Sequence, residues 1–383
     1  MRPKGRAGTL TRVGRSQAPE GASASVGGGR HGVAAHDEQI QGARELGPAA
    51  RSAEGSHVRL GKAAAVFAPI LLAGALFFFA IKLGDLGGAM AHIRGLPLRV
   101  LALALAMALS YLALKAWQLH LLLANLGIRP DWRRLGLAFC VGELALTLPF
   151  GLFAQNWVLA RTGRAHFGES AAATVVMLLV EIFVVLLLLA VVGIRGWPIV
   201  RPIAIGAGVG LCLLLAVVLH FEEGVRKLCR RVAHPTLHKA LDGLIDILAG
   251  VRKLSNVHFL GANVLIAAAY LSALVVAFMA VGRHVGLDRF GFLMAATTYA
   301  FALAVVFLTG GLISQIGTVE VLGMGAAQAA WGIPYAEGLT LMLGFRVVWT
   351  GAMWLCNLPV VAVLWHAASS AASRVEARGS DRS

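Results

Sequence analysis

The sequence predicts an all-α fold: a polytopic transmembrane helical bundle with two broken or re-entrant elements. Three observations carry this. Several stretches of about eighteen or more residues are apolar with few charges, enough for each to cross the ~30 Å hydrocarbon core as a helix. The chain of 383 residues is 58% hydrophobic and 14% charged, with a mean hydropathy of +0.76, far from the roughly 25% charged composition of soluble domains. Finally, two of the apolar stretches are interrupted by Gly, Pro and carboxylates in a way that a plain spanning helix does not require.

Residues 1–62 are rich in Gly, Ala, Ser and Arg and lack apolar periodicity, and they read as a disordered basic tail. The tail lacks the compact charged start, apolar centre and small-residue cleavage site of a signal peptide, so the first apolar segment is expected to stay as an anchor. The transmembrane domain is placed at 63–366, and 367–383 is a short C-terminal tail.

The expected spans are 64–81, 98–124, 171–192, 199–220, 259–281, 292–308 and 339–365. The second carries Lys115, Trp117, Gln118 and His120 in its last third, the third carries Glu181 near its middle, and the last carries Arg346 and Asn357. Between 135 and 157 the apolar run is broken by Glu143, Pro149, Gly151, Gln155 and Asn156. A second break runs from Gly310 to Pro334, with Gly310, Gly311, Gly317 and Glu320. Non-helical backbone at bilayer depth is tolerated only where protein or water covers it.

Segment 221–257 is expected to leave the membrane. Its bases, Arg226, Lys227, Arg230, Arg231, Lys239, Arg252 and Lys253, alternate with Leu237, Leu241, Leu244, Ile245 and Leu248 at helical spacing. This predicts a basic amphipathic helix on the cytoplasmic surface. If the basic tail is also cytoplasmic, an even number of crossings separates the two, and 135–157 must be re-entrant.

The formal charge of +15 does not point to nucleic acid, because Lys and Arg gather in the tail and in loops that flank apolar runs. Cys140, Cys212, Cys229 and Cys356 have no CxxC spacing, which argues against a disulfide framework or a zinc site. Neither an HExxH nor a Walker lysine motif is present, and no bound cofactor or metal is expected. Gly206, Gly208 and Gly210 fall inside an apolar helix, where Gly206 and Gly210 read as a GxxxG helix contact instead of a phosphate loop. Trp117, Trp132, Trp157, Trp197, Trp331 and Trp349 mostly fall near span ends, where an interfacial belt is expected.

Paired broken segments are a pointer to a transporter's binding site, since they expose backbone groups and helix ends; the plain alternative is kinked, packed spans. Glu143 and Glu320 lie in or beside the breaks, while Lys115, Arg161, Arg164 and Arg346 supply positive charge. Ionised groups at the bilayer centre cost at least ~2.5–3.5 kcal/mol, so some must pair or line a wet cavity. Arg161 and Arg164 suit a lipid phosphate or serve as topological anchors. Glu181 reads as a mid-span carboxyl bonded to a neighbouring helix.

At these residues the chain resembles the integral membrane region of lysylphosphatidylglycerol synthases and its stand-alone relatives, the flippase-like or UPF-type membrane proteins. The resemblance covers about residues 60–366 and rests on KAWQLHLLLANLG from Lys115, GELALTLPFGLFAQNWVLAR from Gly142, and GGLISQIGTVEVLGMGAAQAAWGIP from Gly310 followed by Arg346. The family's second break commonly reads Pro-Gly-Gly-x-Gly-x-x-Glu; here Gly310, Gly311, Gly317 and Glu320 keep the glycines and the acid, while the proline is missing and the spacing is looser. The first break keeps Gly142, Glu143 and Pro149.

The resemblance implies translocation of a lipid such as an aminoacylated phospholipid, a polyprenyl-linked sugar or a hopanoid, in a bacterial inner membrane. Membrane lipids are then the partners, with a lipid-modifying enzyme as a further one. The aminoacyltransferase domain that follows the membrane region in the synthases is not expected in the seventeen residues after His366. Translocation, not catalysis, is therefore the expected function. The alternative is an enzyme or enzyme subunit of lipid or glycolipid modification, with the glutamates as acid/base groups.

Overall fold

A computed structural model describes residues 91–380 apart from 92, 147–150, 162–165, 195, 221–223, 225–226, 228–234 and 309–314. The expected tail 1–62, the first span 64–81, and the predicted site positions Pro149, Arg164, Gly310 and Gly311 lie outside the described residues, and Gly317 is described in its backbone alone.

The named elements among the described residues are all helices. In chain order the helices are α1 Leu98–Asn125, α2 Trp132–Ala145, a 3-10 turn Gly151–Phe153, α3 Ala154–Arg161, α4 Phe167–Val192, α5 Val200–His220, α6 Pro235–Leu254, α7 Val257–His284, α8 Phe292–Leu308, α9 Gln315–Trp331 and α10 Tyr335–Ser380. Five of them, α1, α4, α5, α7 and the first thirty residues of α10, are long and apolar enough to cross a membrane. The all-α polytopic prediction therefore holds.

Helix ends follow from local chemistry. The Asp131 side chain accepts from the Arg134 amide at 2.9 Å to open α2, and Asn256 accepts from the His258 amide at 3.0 Å to open α7, each satisfying a donor that the first turn leaves free. Gly193 and Gly332 stop α4 and α9 at φ of +70° and +69°, a conformation that costs glycine nothing.

The bundle centre is built by α1, α4, α7 and α10. Helix α7 runs along α1, both touch α4, and α10 closes the group by packing on α1, α2, α7 and α9. Helix α5 leans on α4 and turns Ile203, Val209, Leu213, Leu214 and Val217 outward, as expected of a lipid-facing helix where the solvent is hydrocarbon.

The first break is a hairpin. At 14 and 8 residues, α2 and α3 reach only about 21 and 12 Å, short of a full crossing. They pack on each other, and a Cβ at Gly151 would fall on the Ala145 carbonyl oxygen, so the returning chain presses against the end of α2. The glycines at the start of the second break, Gly310 and Gly311, lie outside the described residues, between α8 and α9. Most of the rest of the Gly310–Pro334 run is the continuous helix α9, and α8 has the bounds expected of the 292–308 span and packs on α9 as a shorter apolar helix. Each has 17 residues, about 25 Å. The glycines serve contact: a Cβ at Gly323 would overlap the Met342 side chain of α10. A helical glycine gives up some intrinsic propensity, and here it gains a close interhelical approach.

Two further expectations change. Gly206, Gly208 and Gly210 have nothing within 4 Å of a built Cβ, so they face outward and make no helix contact among the described residues. Helix α6 is amphipathic as predicted, but its last turns pack against protein: Val251 and Leu254 are buried, and a Cβ at Gly250 would overlap Ala172 of α4. Leu244 stays exposed.

Candidate functional site: two buried ion clusters

Helix α1 places Tyr111, Lys115, Gln118, Leu119 and Leu122 on one buried face, at the spacing of three and four that stacks side chains along a helix. Lys115 thereby enters the centre of the bundle, where an ammonium without a partner would be costly. Its Nζ lies 3.2 Å from Glu143 Oε1 of α2 and 3.1 Å from Glu181 Oε1 of α4, and it donates to Tyr111 Oη at 2.8 Å. Tyr270 of α7 donates to Glu181 Oε1 at 2.7 Å. Four helices thus meet at one lysine.

The hairpin return supplies the next layer. Gly142 lets Gln155 of α3 sit against α2, since a Cβ there would come 2.9 Å from that of Gln155. Gln155 Nε2 and Asn156 Nδ2 donate to Thr174 Oγ1 of α4 at 2.7 and 2.9 Å. Thr174 stands seven residues before Glu181, two turns along the same face. Lys115, Glu143, Gln155, Thr174, Met177 and Glu181 line a cavity of about 10 Å³, room for roughly one water. Glu143 Oε2 is buried with no hydrogen-bond partner.

The second cluster joins α9 and α10. Arg346 Nε is 2.6 Å from Glu320 Oε1, with the carboxylate side chain 2% exposed and the arginine 25%. Such a charge-assisted bond is strong where water is excluded. Between the clusters runs a chain of rings: Tyr270 to Tyr111 at 5.3 Å, Tyr111 to Trp349 at 5.5 Å, Trp349 to Phe345 at 5.7 Å, and Phe345 to Tyr299 at 5.5 Å. Trp349, expected at the interface, is a packing residue between α1 and α10. Trp117, Trp132 and Trp157 are exposed, in keeping with a belt position.

The structure thus divides the six predicted charged residues. Lys115 and Glu143 form one cluster and Glu320 and Arg346 another. Arg161 sits at the exposed end of α3 with its guanidinium 4.2 Å over the Trp157 ring, and Arg164 lies outside the described residues. Sequence reasoning set Glu181 aside as a carboxyl bonded to a neighbouring helix. It does bond Tyr270, but it is also the second counter-charge of Lys115. Tyr111, Tyr270, Gln155, Asn156 and Thr174 were missed as members; the Tyr111–Lys115–Gln118 and Thr174–Glu181 spacings were the available signals.

Chemically, the first cluster holds one cation against two carboxyl groups and the second holds one of each. Both keep charge inside a low-dielectric bundle, at the places where the two helical hairpins join it. Among the described residues no group of three or more His, Cys, Asp or Glu side chains is placed to hold a metal ion.

The family model described as lysylphosphatidylglycerol synthase TM region matches residues 66–355, and thus spans α1 to α9, most of the membrane part of α10 and both ion clusters. No curated protein matches the chain significantly.

Proposed function

We propose that this chain, which belongs to the lysylphosphatidylglycerol synthase transmembrane-region family, is a flippase-like lipid translocase of the bacterial inner membrane. It moves a lipid headgroup between leaflets along the region where its two helical hairpins meet the bundle, while the acyl chains stay in the bilayer. The lipid is an aminoacylated phospholipid, a polyprenyl-linked sugar or a hopanoid-type lipid, and a lipid-modifying enzyme supplies it.

The observation that supports this reading is the placement of buried, paired charges where α2 and α3 join the bundle and where α9 meets α10. Lys115 with Glu143 and Glu181 lies beside α2 and α3, and Glu320 with Arg346 joins α9 to α10. Buried ion pairs are weak devices for stability, whereas charged groups inside spanning segments characteristically mark pathways. A headgroup that carries both phosphate and ammonium can exchange partners with such pairs, so that neither the lipid nor the protein exposes an uncompensated charge during the crossing. Arg161, on its tryptophan platform at the end of α3, is suited to receive the phosphate at the interface, because its fork matches phosphate geometry.

Proteoliposomes containing fluorescent aminoacylated, anionic or polyprenyl lipids test the proposal through headgroup accessibility in each leaflet. Protein-dependent movement of one lipid class, lost in Glu320→Gln, is the expected result. If wild type and variant move every class at the protein-free rate, translocation is wrong.

A further inference from the structure

The two ion clusters differ in charge balance. Arg346 and Glu320 match one to one, whereas Lys115 faces two carboxyl groups. With all three groups ionised the first cluster carries one uncompensated negative charge inside the bundle. The two carboxylates are also unequally served. Glu181 Oε1 receives both the Lys115 ammonium, at 3.1 Å, and the Tyr270 hydroxyl, at 2.7 Å. Glu143 Oε1 is 3.2 Å from the same ammonium, while its Oε2 is buried with no hydrogen-bond partner. The Glu143 side chain is 5% exposed and lines the one-water cavity.

We propose that this cluster is a proton-binding site, that the proton is taken by Glu143 at Oε2, and that its uptake and release couple lipid movement to the proton gradient. The coupling rests on the translocase reading; the proton binding does not. Addition of one proton converts the Glu143 carboxylate to the neutral acid and raises the net charge of the cluster by one unit. The cavity that Glu143 lines has room for about one water. A sodium ion would sit beside the Lys115 ammonium, whose charge repels a second cation.

The surroundings leave Glu143 as the group to titrate. Tyr111 and Lys115 face it from α1, Glu181 from α4, and Tyr270 stands behind Glu181 on α7. Helix α3 brings the amides Gln155 and Asn156, which do not titrate. Helix α10, which packs on α2, brings Cys356 and Arg346, the latter already joined to Glu320. Cys140 lies one turn earlier on α2. Because Glu143 and Glu181 share a cation, their protonation is a property of the pair, and variants must assign it.

The test has two arms. Infrared difference spectra of the full chain in nanodiscs, taken on acidification, should show the carbonyl band of a buried carboxylic acid that is lost in Glu143→Gln and shifted but retained in Glu143→Asp. In proteoliposomes an imposed pH gradient should move the steady-state leaflet ratio of the transported lipid about tenfold per pH unit if one proton accompanies one lipid, and should not move it in Glu143→Gln. A titrating band that survives in Glu143→Gln overturns the assignment to Glu143. A site that responds to sodium and not to pH overturns the proton. Lipid movement that ignores the pH gradient overturns the coupling and leaves the translocase reading standing. Absence of lipid movement overturns that reading, and the spectra still decide the proton site.

Discussion

Lys115 shows how one side chain can set the terms for its neighbours. Its ammonium is held by Glu143, Glu181 and Tyr111, so removing the cation leaves two carboxyl groups facing each other without compensation. Breaking a buried pair by deleting one partner costs about 3–5 kcal/mol. Lys115→Met should therefore lower the unfolding midpoint in detergent strongly, and Lys115→Met combined with Glu181→Gln should recover part of the loss. Additive losses in a thermal melt of the single and double variants would refute the shared cluster. Tyr270→Phe removes only a hydroxyl that donates to a carboxylate, and should cost about 1–2 kcal/mol in the same melt, well short of the Lys115 effect.

At the scale of elements, the α2–α3 hairpin and the α9–α10 contact achieve their closeness by different means. In the first, Gly142 and Gly151 let the returning chain lie directly on α2, so that Gln155 and Asn156 reach Thr174 of α4. Gly151→Leu would drive a side chain into the Ala145 carbonyl, a backbone atom that cannot rotate aside. It should abolish monodisperse protein on size-exclusion chromatography. Gly323→Ala meets the far end of Met342 instead, a flexible side chain that can yield, so a smaller loss, about 1–3 kcal/mol by melting, is expected there. A Gly151 variant as stable as wild type would show that the hairpin is looser than its packing implies.

For the molecule as a whole, the short α2 and α3 predict that the chain before α2 and the chain after α3 lie on one side of the membrane. Single cysteines introduced at Asp131 and His166 in a cysteine-free background should be labelled by an impermeant maleimide from the same face. Labelling from opposite faces would make 135–157 a crossing and invert every later helix.

The sequence by itself determined the apolar solvent, the helical class and the five described helices long and apolar enough to cross a membrane, because runs of apolar residues in a bilayer have few alternatives once every backbone group must be bonded. It also singled out Lys115, Glu143, Glu320 and Arg346, since a charge inside an apolar run is visible in one dimension. Only the tertiary structure decided which charges meet. Lys115 to Glu181 and Tyr111 to Tyr270 are pairings between helices far apart in the chain, and nothing in the periodicity of one helix records the rotation of its neighbour. The same limit explains the second break: a glycine at a turn and a glycine at a helix contact have the same letter, and only the helix packed against Gly323 distinguishes them.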